Sequence, residues 1–173
     1  DDHARDNVTE AELALDEDGK FLGLRVTTNA NLGAYVSFLG AGPPTGNTGG
    51  LAGLYTTPAI NVRVSGVLSN TSPLSPYRGA GRPEAAYIVE RMIQVAAREL
   101  DLDPAELRRR NFIAPDAMPY KTPLTFTYDC GEFEALMDKC LENSDYRGFG
   151  ARRDEASARG RARGIGISCT IEQ

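Results

Sequence analysis

An α+β fold, an antiparallel sheet with helices packed on it, is predicted by three features of the sequence. Residues 8–31 and 58–68 alternate apolar and polar side chains with period two, the signature of half-buried strands. Residues 83–158 carry apolar side chains at three- and four-residue spacing instead. Residues 163–171 return to alternation, so strands come first, then helices, then a closing strand. The whole chain reads as one unit, with 1–70 mainly strands and a glycine-rich loop, a turn at 75–82, and helices over 83–158.

In order, Ala11, Leu13 and Leu15 alternate with Glu10, Glu12 and Ala14, and Leu22, Leu24 and Val26 continue after a break. Asp16-Glu17-Asp18-Gly19-Lys20 between them is a turn whose glycine can take positive φ, so a hairpin is expected. The polar alternate positions leave one face wet, which favours antiparallel pairing. Eight acidic residues fall in the first 18, a solvated sheet face without the spacing of a cation loop. Residues 40–53 hold six glycines and two prolines, a composition expected to give a long mobile loop without helix or strand. Ile60, Val62 and Val64 form a further strand.

Pro83-Glu84 suits the first turn of a helix whose buried face is Ala85, Ile88, Val89, Met92, Ile93, Ala96 and Leu100. Asp103 is the expected N-cap of a second helix, with Arg108, Arg109 and Arg110 complementing its C-terminal dipole. Asp129 and Glu132 have capping-box spacing before Phe133, Leu136, Met137, Cys140 and Leu141. A last helix is expected over 145–158.

Composition removes several chemistries. The 173 residues carry a net charge of −5, which argues against wrapping nucleic acid. The basic run Arg152, Arg153, Arg159, Arg161 and Arg163 has no interleaved aromatic platform and reads as a solvated face. A membrane span needs roughly 20 apolar residues, and no run here approaches that. One histidine, His3, cannot build a multi-histidine metal site or support a credible hydrolase. Cys130, Cys140 and Cys169 are odd in number and widely spaced, which fits a reducing, cytoplasmic compartment; each reads as a small buried hydrophobe.

The stretch with chemical content is Ser75-Pro76-Tyr77-Arg78-Gly79-Ala80-Gly81-Arg82-Pro83-Glu84-Ala85. It places a glycine-containing turn directly before a long helix. Glycines let backbone N–H groups approach a ligand, and the helix N-terminus adds partial positive charge. Arg78 and Arg82 add fork-shaped cations suited to phosphate or oxyanions. On physics alone this is an anion-binding turn. A non-catalytic module holding a phosphate-bearing ligand at 78–83, or a plain connector, would read the same way.

The string Tyr-Arg-Gly-Ala-Gly-Arg-Pro-Glu-Ala, with the later Leu-Asp-Pro-Ala-Glu-Leu-Arg-Arg-Arg-Asn-Phe-Ile, resembles the molybdenum-binding large subunit of the xanthine dehydrogenase, aldehyde oxidase and aerobic carbon monoxide dehydrogenase family. His3-Ala4-Arg5-Asp6, Leu32-Gly33-Ala34-Tyr35 and Arg163-Gly164-Ile165-Gly166-Ile167 extend the resemblance over essentially the whole chain. The resemblance implies part of a molybdopterin-binding domain in a molybdenum hydroxylase. Such enzymes oxidise a small-molecule substrate with oxygen from water, pass electrons through two iron–sulfur clusters, and usually deliver them to a flavin. It also implies a cofactor role for Tyr77, Arg78, Gly79, Ala80 and Gly81, whose backbone would run beside the molybdenum, bound as a pterin, in a dinucleotide form. No catalytic residue and no metal ligand is expected from this chain.

Departures from the family pattern narrow the substrate. Ala80 stands where purine-hydroxylating relatives carry an aromatic residue, which speaks against a stacked purine. The glycine-rich loop occupies the place of their substrate-gripping arginine ahead of Tyr55-x-x-Pro58. Residues 75–83 contain no cysteine for a molybdenum–copper site. Aldehydes or N-heterocycles remain. Neither the family's Phe-Gly loop nor its catalytic glutamate occurs here, and Glu172 ends the closing strand with no expected catalytic role. A piece of the subunit, inactive alone, is therefore expected.

Overall fold

The structure, a computed structural model, describes residues 2–46 and 48–171. Strands β1 (Asn7–Leu15) and β2 (Phe21–Gly33) form the expected antiparallel hairpin. Gly19 closes its turn at φ 78°, and Asp16 Oδ1 accepts the Asp18 N–H at 3.0 Å. Ala11, Leu13 and Leu15 face inward as the alternation requires. Leu22 does not: a register shift beside Ala14 and Leu15 puts Phe21 inside and leaves Leu22 49% exposed.

β3 (Ile60–Leu68) joins the other edge of β2, and this pairing is parallel. The sheet is thus mixed, in the order β1-β2-β3, not purely antiparallel. A parallel neighbour needs a crossover, and residues 34–59 supply one.

That crossover corrects the reading of 40–53 as a loop without helix. It contains a short helix α1 (Gly42–Gly46) and a 3₁₀ turn (Thr48–Ala52), and Pro43, Gly49, Leu51 and Ala52 are buried. Gly40, Gly49, Gly50 and Gly53 sit in close packing, while Gly42 and Gly46 face open space. A Cβ on Gly49 would stand 2.2 Å from Thr125 Oγ1 and 2.5 Å from the Phe126 ring.

Helix α2 (Arg82–Glu99) lays Ala85, Val89, Ile93 and Ala97 into the core, leaving Leu100 41% exposed at its end. Helix α3 (Pro104–Asn111) is capped by Asp103, whose side chain accepts from the Ala105 and Glu106 N–H groups at 2.8 and 3.1 Å. The strands β4 (Tyr120–Lys121) and β5 (Thr127–Tyr128) make a small ribbon. Helix α4 (Phe133–Asn143) starts at Glu132 with no side-chain cap, so Asp129 does not complete a capping box. The last helix, α5 (Phe149–Ala158), begins four residues later than 145, because Asp145 takes φ 46°.

The core joins Phe21, Leu24 and Val26 of the sheet to α2, to Leu107 and Phe112, and to Met137 of α4. Tyr55 stacks on Phe112 at 5.5 Å and meets Phe21 edge-on at 5.6 Å. The three arginines of α3 do more than complement its dipole. Arg108 is fully buried against Glu90 of α2, Arg109 bridges to Glu134 and Asp138 of α4, and Arg110 donates to the Asp18 carbonyl. Asn111 is buried too, accepting the Phe21 N–H at 2.8 Å and donating to the Gly19 carbonyl at 2.9 Å.

Residues 163–171 are not a strand. Side chains, not a neighbouring strand, take their backbone groups: Arg108 donates to the Ile167 carbonyl at 3.2 Å, and the Cys169 N–H donates to Glu90 Oε2 at 2.8 Å. Glu172 lies outside the described residues. Cys130 and Cys140 are exposed, against the buried reading, because they sit on the solvent side of the α4 region. Among the described residues no helix is long and apolar enough to cross a membrane.

Candidate functional site

The segment from Ser75 to Arg82 is held between the N-terminal residues and α2. His3 pairs with Leu74 as an isolated parallel bridge; its N–H donates to the Pro73 carbonyl and its carbonyl accepts from Ser75, both at 2.9 Å. The Ser75 hydroxyl donates to Asp2 Oδ2 at 2.6 Å, and the Ser37 hydroxyl donates to the Leu74 carbonyl at 2.5 Å. The turn therefore starts from a fixed point.

Three consecutive residues then take positive φ: Gly79 at 88°, Ala80 at 41° and Gly81 at 102°. The Ala80 N–H donates to the Tyr77 carbonyl at 2.7 Å and the Arg82 N–H to the Gly79 carbonyl at 3.0 Å. The N–H groups of Arg78, Gly79 and Gly81 have no hydrogen-bond partner among the described residues. Gly81 is buried as the N-cap of α2, whose carbonyl accepts from Ala85 at 3.1 Å. Free N–H donors thus gather where the helix dipole is positive, the arrangement that binds anions.

All five expected residues fall in this one turn. Tyr77 is 65% exposed, Arg78 is exposed, and Gly79 and Ala80 are half-buried. The Arg78 side chain makes no hydrogen bond or ion pair among the described residues, while Arg82 Nη1 lies 3.4 Å from the Gly79 carbonyl. Gly79 is required twice over: a Cβ there would stand 2.6 Å from Pro83 Cδ and Cγ, at a φ that side chains resist.

Two residues of this site escaped the sequence reading. Arg5 Nη2 donates to the Arg78 carbonyl at 2.5 Å, its Nε lies 3.1 Å from Glu84 Oε1, and its guanidinium sits 5.7 Å from the Tyr77 ring centre. Glu84, in the first turn of α2, has its other oxygen buried without a partner. The only sequence signal for Arg5 was its place in the His3-Ala4-Arg5-Asp6 string; nothing local links it to a turn 73 residues away.

Behind the turn, Glu90 collects a buried polar cluster. Arg108 gives it two hydrogen bonds, from Nε at 3.0 Å and Nη2 at 2.9 Å, and the Tyr55 hydroxyl donates to Oε1 at 2.6 Å. Burial, and then Glu90, hold the Tyr55 phenol far above its usual range and push the Cys169 thiol up to about 11. Cys169 is thus a protonated thiol at neutral pH, a poor nucleophile and a poor metal ligand. Among the described residues no three His, Cys, Asp or Glu side chains come together to hold a metal ion. What the turn can offer a ligand is hydrogen-bond donors and positive charge.

The fold and this turn define an α+β unit with backbone donors left unpaired, among the described residues, at a helix N-terminus. The chain belongs to the molybdopterin cofactor-binding domain family, whose model matches residues 1–112. It is 39% identical to the carbon monoxide dehydrogenase large chain of Hydrogenophaga pseudoflava, over 90% of this chain and 20% of that one. Its fold superposes on quinoline 2-oxidoreductase from Pseudomonas putida 86 with a TM-score of 0.84 and 32% identity, covering 92% of this chain and 20% of the other. A Cu,Mo-CO dehydrogenase in its carbon monoxide-reduced state follows at 0.80 and 34%, with 92% and 21% covered. The chain spans about a fifth of the length of these relatives.

Proposed function

We propose that the protein carrying this chain is a molybdenum hydroxylase, and that Tyr77, Arg78, Gly79, Ala80 and Gly81 form one wall of its cofactor site. The observation that carries the proposal is the left-handed turn at the α2 N-terminus, with the N–H groups of Arg78, Gly79 and Gly81 unpaired among the described residues. The turn fits a molybdopterin group, which is anionic at its phosphates and at the oxygen and sulfur atoms around its metal. When bound, that group supplies two-electron oxidation of a carbon centre with oxygen drawn from water.

This chain's own part is to bind and orient. Fixed N–H dipoles at Arg78, Gly79 and Gly81 hold negative charge without reorganising, the logic of an oxyanion hole. Arg78 adds an unpaired cation at the rim, and Pro83 and Glu84 lock the turn onto the helix. Ala80 keeps the wall small where an aromatic ring would fill it. Residues 77–81 include no carboxylate or imidazole, so proton transfer falls to residues outside this wall.

The substrate class we infer is an N-heteroaromatic compound, as in the quinoline relative. Carbon monoxide is the less apt reading despite the greater identity to the large chain named for it. Copper(I) favours a soft thiolate, the 75–83 turn has no cysteine, and Cys169 is held protonated. Partners on this reading are the remainder of the molybdenum-binding subunit and iron–sulfur and flavin subunits or domains that accept electrons. Exposed free thiols at Cys130 and Cys140 support a cytoplasmic setting.

The test is oxidation of quinoline or a related N-heterocycle by the complete, cofactor-loaded protein in ¹⁸O-labelled water. The expected result is a hydroxylated product carrying the label. Turnover of carbon monoxide alone, with copper present, would replace this substrate assignment.

A further inference from the structure

Arg5 is tied to the turn more closely than a surface charge would be. Its guanidinium makes three contacts with residues at least 72 positions away: the Arg78 carbonyl, the Glu84 carboxylate and the face of Tyr77. These are three sides of one turn. The Arg78 carbonyl and the Gly79 N–H belong to one planar peptide group, so fixing that oxygen fixes the plane in which the Gly79 N–H points. Glu84 is the first acidic residue of α2, so the same cation also fixes the turn against its helix.

The cost of losing Arg5 falls locally. Asn7 Oδ1, Glu84 Oε2 and Arg5 Nε itself are shut off from water without hydrogen-bond partners, so the 3.1 Å approach of Arg5 to Glu84 is an ion pair, and Arg5 is the cation paired with Glu84 among the described ion pairs. Glu84 has only 16% of its side chain exposed. Without Arg5, a mostly buried carboxylate would sit beside a left-handed turn in which Ala80 holds a side chain at positive φ.

We propose that Arg5 is a positioning residue that holds the 77–81 turn in its donor-presenting conformation. This rests on the cofactor reading given above, for which it names the residue that aligns the donors. Arginine is needed for its fork, which reaches a carbonyl and a carboxylate together; a lysine offers one point charge. His3-Ala4-Arg5-Asp6 is on this reading part of the site, although it lies at the other end of the segment and touches no ligand.

The experiment compares Arg5→Met, Arg5→Lys and wild type in the complete protein, prepared with and without cofactor. Amide exchange is followed at Ala80 and Arg82, the two hydrogen-bonded N–H groups inside the turn. In the cofactor-free protein both variants are expected to exchange at these amides about tenfold faster or more, the loss of one charge-assisted hydrogen bond. Amides of α2 from Val89 to Ala97 serve as the internal control for folding and should keep wild-type rates. Cofactor content should fall in both variants. Unchanged exchange at Ala80 and Arg82, or full rescue by Arg5→Lys, would overturn the inference and leave the cofactor site standing. A loosened turn with undiminished cofactor content would do the reverse: the clamp would stand, and the placement of the cofactor at this turn would fall.

Discussion

Gly79 is the position where a single atom decides the geometry. A Cβ there would overlap two Pro83 ring carbons at 2.6 Å, and its φ of 88° is one that L-residues adopt at a cost of about 1–2 kcal/mol. Gly79→Val can be accommodated only by moving the turn, since Pro83 is locked into the first turn of α2. The apolar face of α2 is untouched, so the variant should fold and retain cofactor in part. Turnover per bound molybdenum in the complete protein should fall about a hundred- to a thousand-fold, the loss typical of one misplaced donor, or about 2.7–4 kcal/mol. Arg78→Ala is the contrasting case. Its side chain has no partner to lose among the described residues, so its stability by denaturant melt should stay within about 0.5 kcal/mol of wild type while turnover drops. Equal turnover in wild type and Gly79→Val would make this turn a connector.

Among elements, α2 and α3 are joined by a buried ion pair, Glu90 to Arg108, with side chains 7% and 0% exposed. Arg108→Met should cost about 3–5 kcal/mol, because it strands a buried carboxylate. Adding Glu90→Gln should restore part of that loss, since an amide oxygen can still accept from Tyr55 or the Cys169 N–H. Urea melts of the two variants check the order; a single variant no worse than the double would show that the pair is not coupled. The same elements show what a sequence can and cannot disclose. The hairpin, α2 and the Asp103 cap rest on local signals, alternation, helical spacing and a side chain bonding N–H groups two and three residues on, and each was legible. The parallel seat of β3 was not, because pairing direction is set by the 26 residues between strands, from Ala34 to Ala59, and not by the strand itself. The glycines at 40–53 looked like entropy, yet Gly49 is contact surface, a difference made by Thr125 and Phe126 far along the chain. The 163–171 segment alternates like a strand but finds side chains instead of a neighbouring strand. Glu90 carried little signal: on a helical wheel it falls about 60° beyond Ile93, at the margin of the apolar face.

In the whole molecule, segments remote in sequence converge on one edge. The N-terminal residues fix the start of the turn through His3 and clamp its middle through Arg5, while α2 anchors its end. Behind it, Glu90 and Arg108 fasten α2 to α3 and to residues 167 and 169. The site's position was legible from the glycine–arginine string before the long helix; the clamp and the buried cluster were not, because both join residues distant in sequence. The central claim is that the Arg78, Gly79 and Gly81 amides, unpaired among the described residues, are donors to the cofactor. Residue-resolved amide exchange on the complete protein, with and without bound cofactor, tests it most directly. Without cofactor the Arg78 and Gly79 amides should exchange near the rate of an unstructured chain, with the buried Gly81 amide slower; with stoichiometric cofactor all three should slow at least about tenfold, as one charge-assisted hydrogen bond each requires. Equal exchange in the loaded and unloaded proteins at all three amides would contradict the claim.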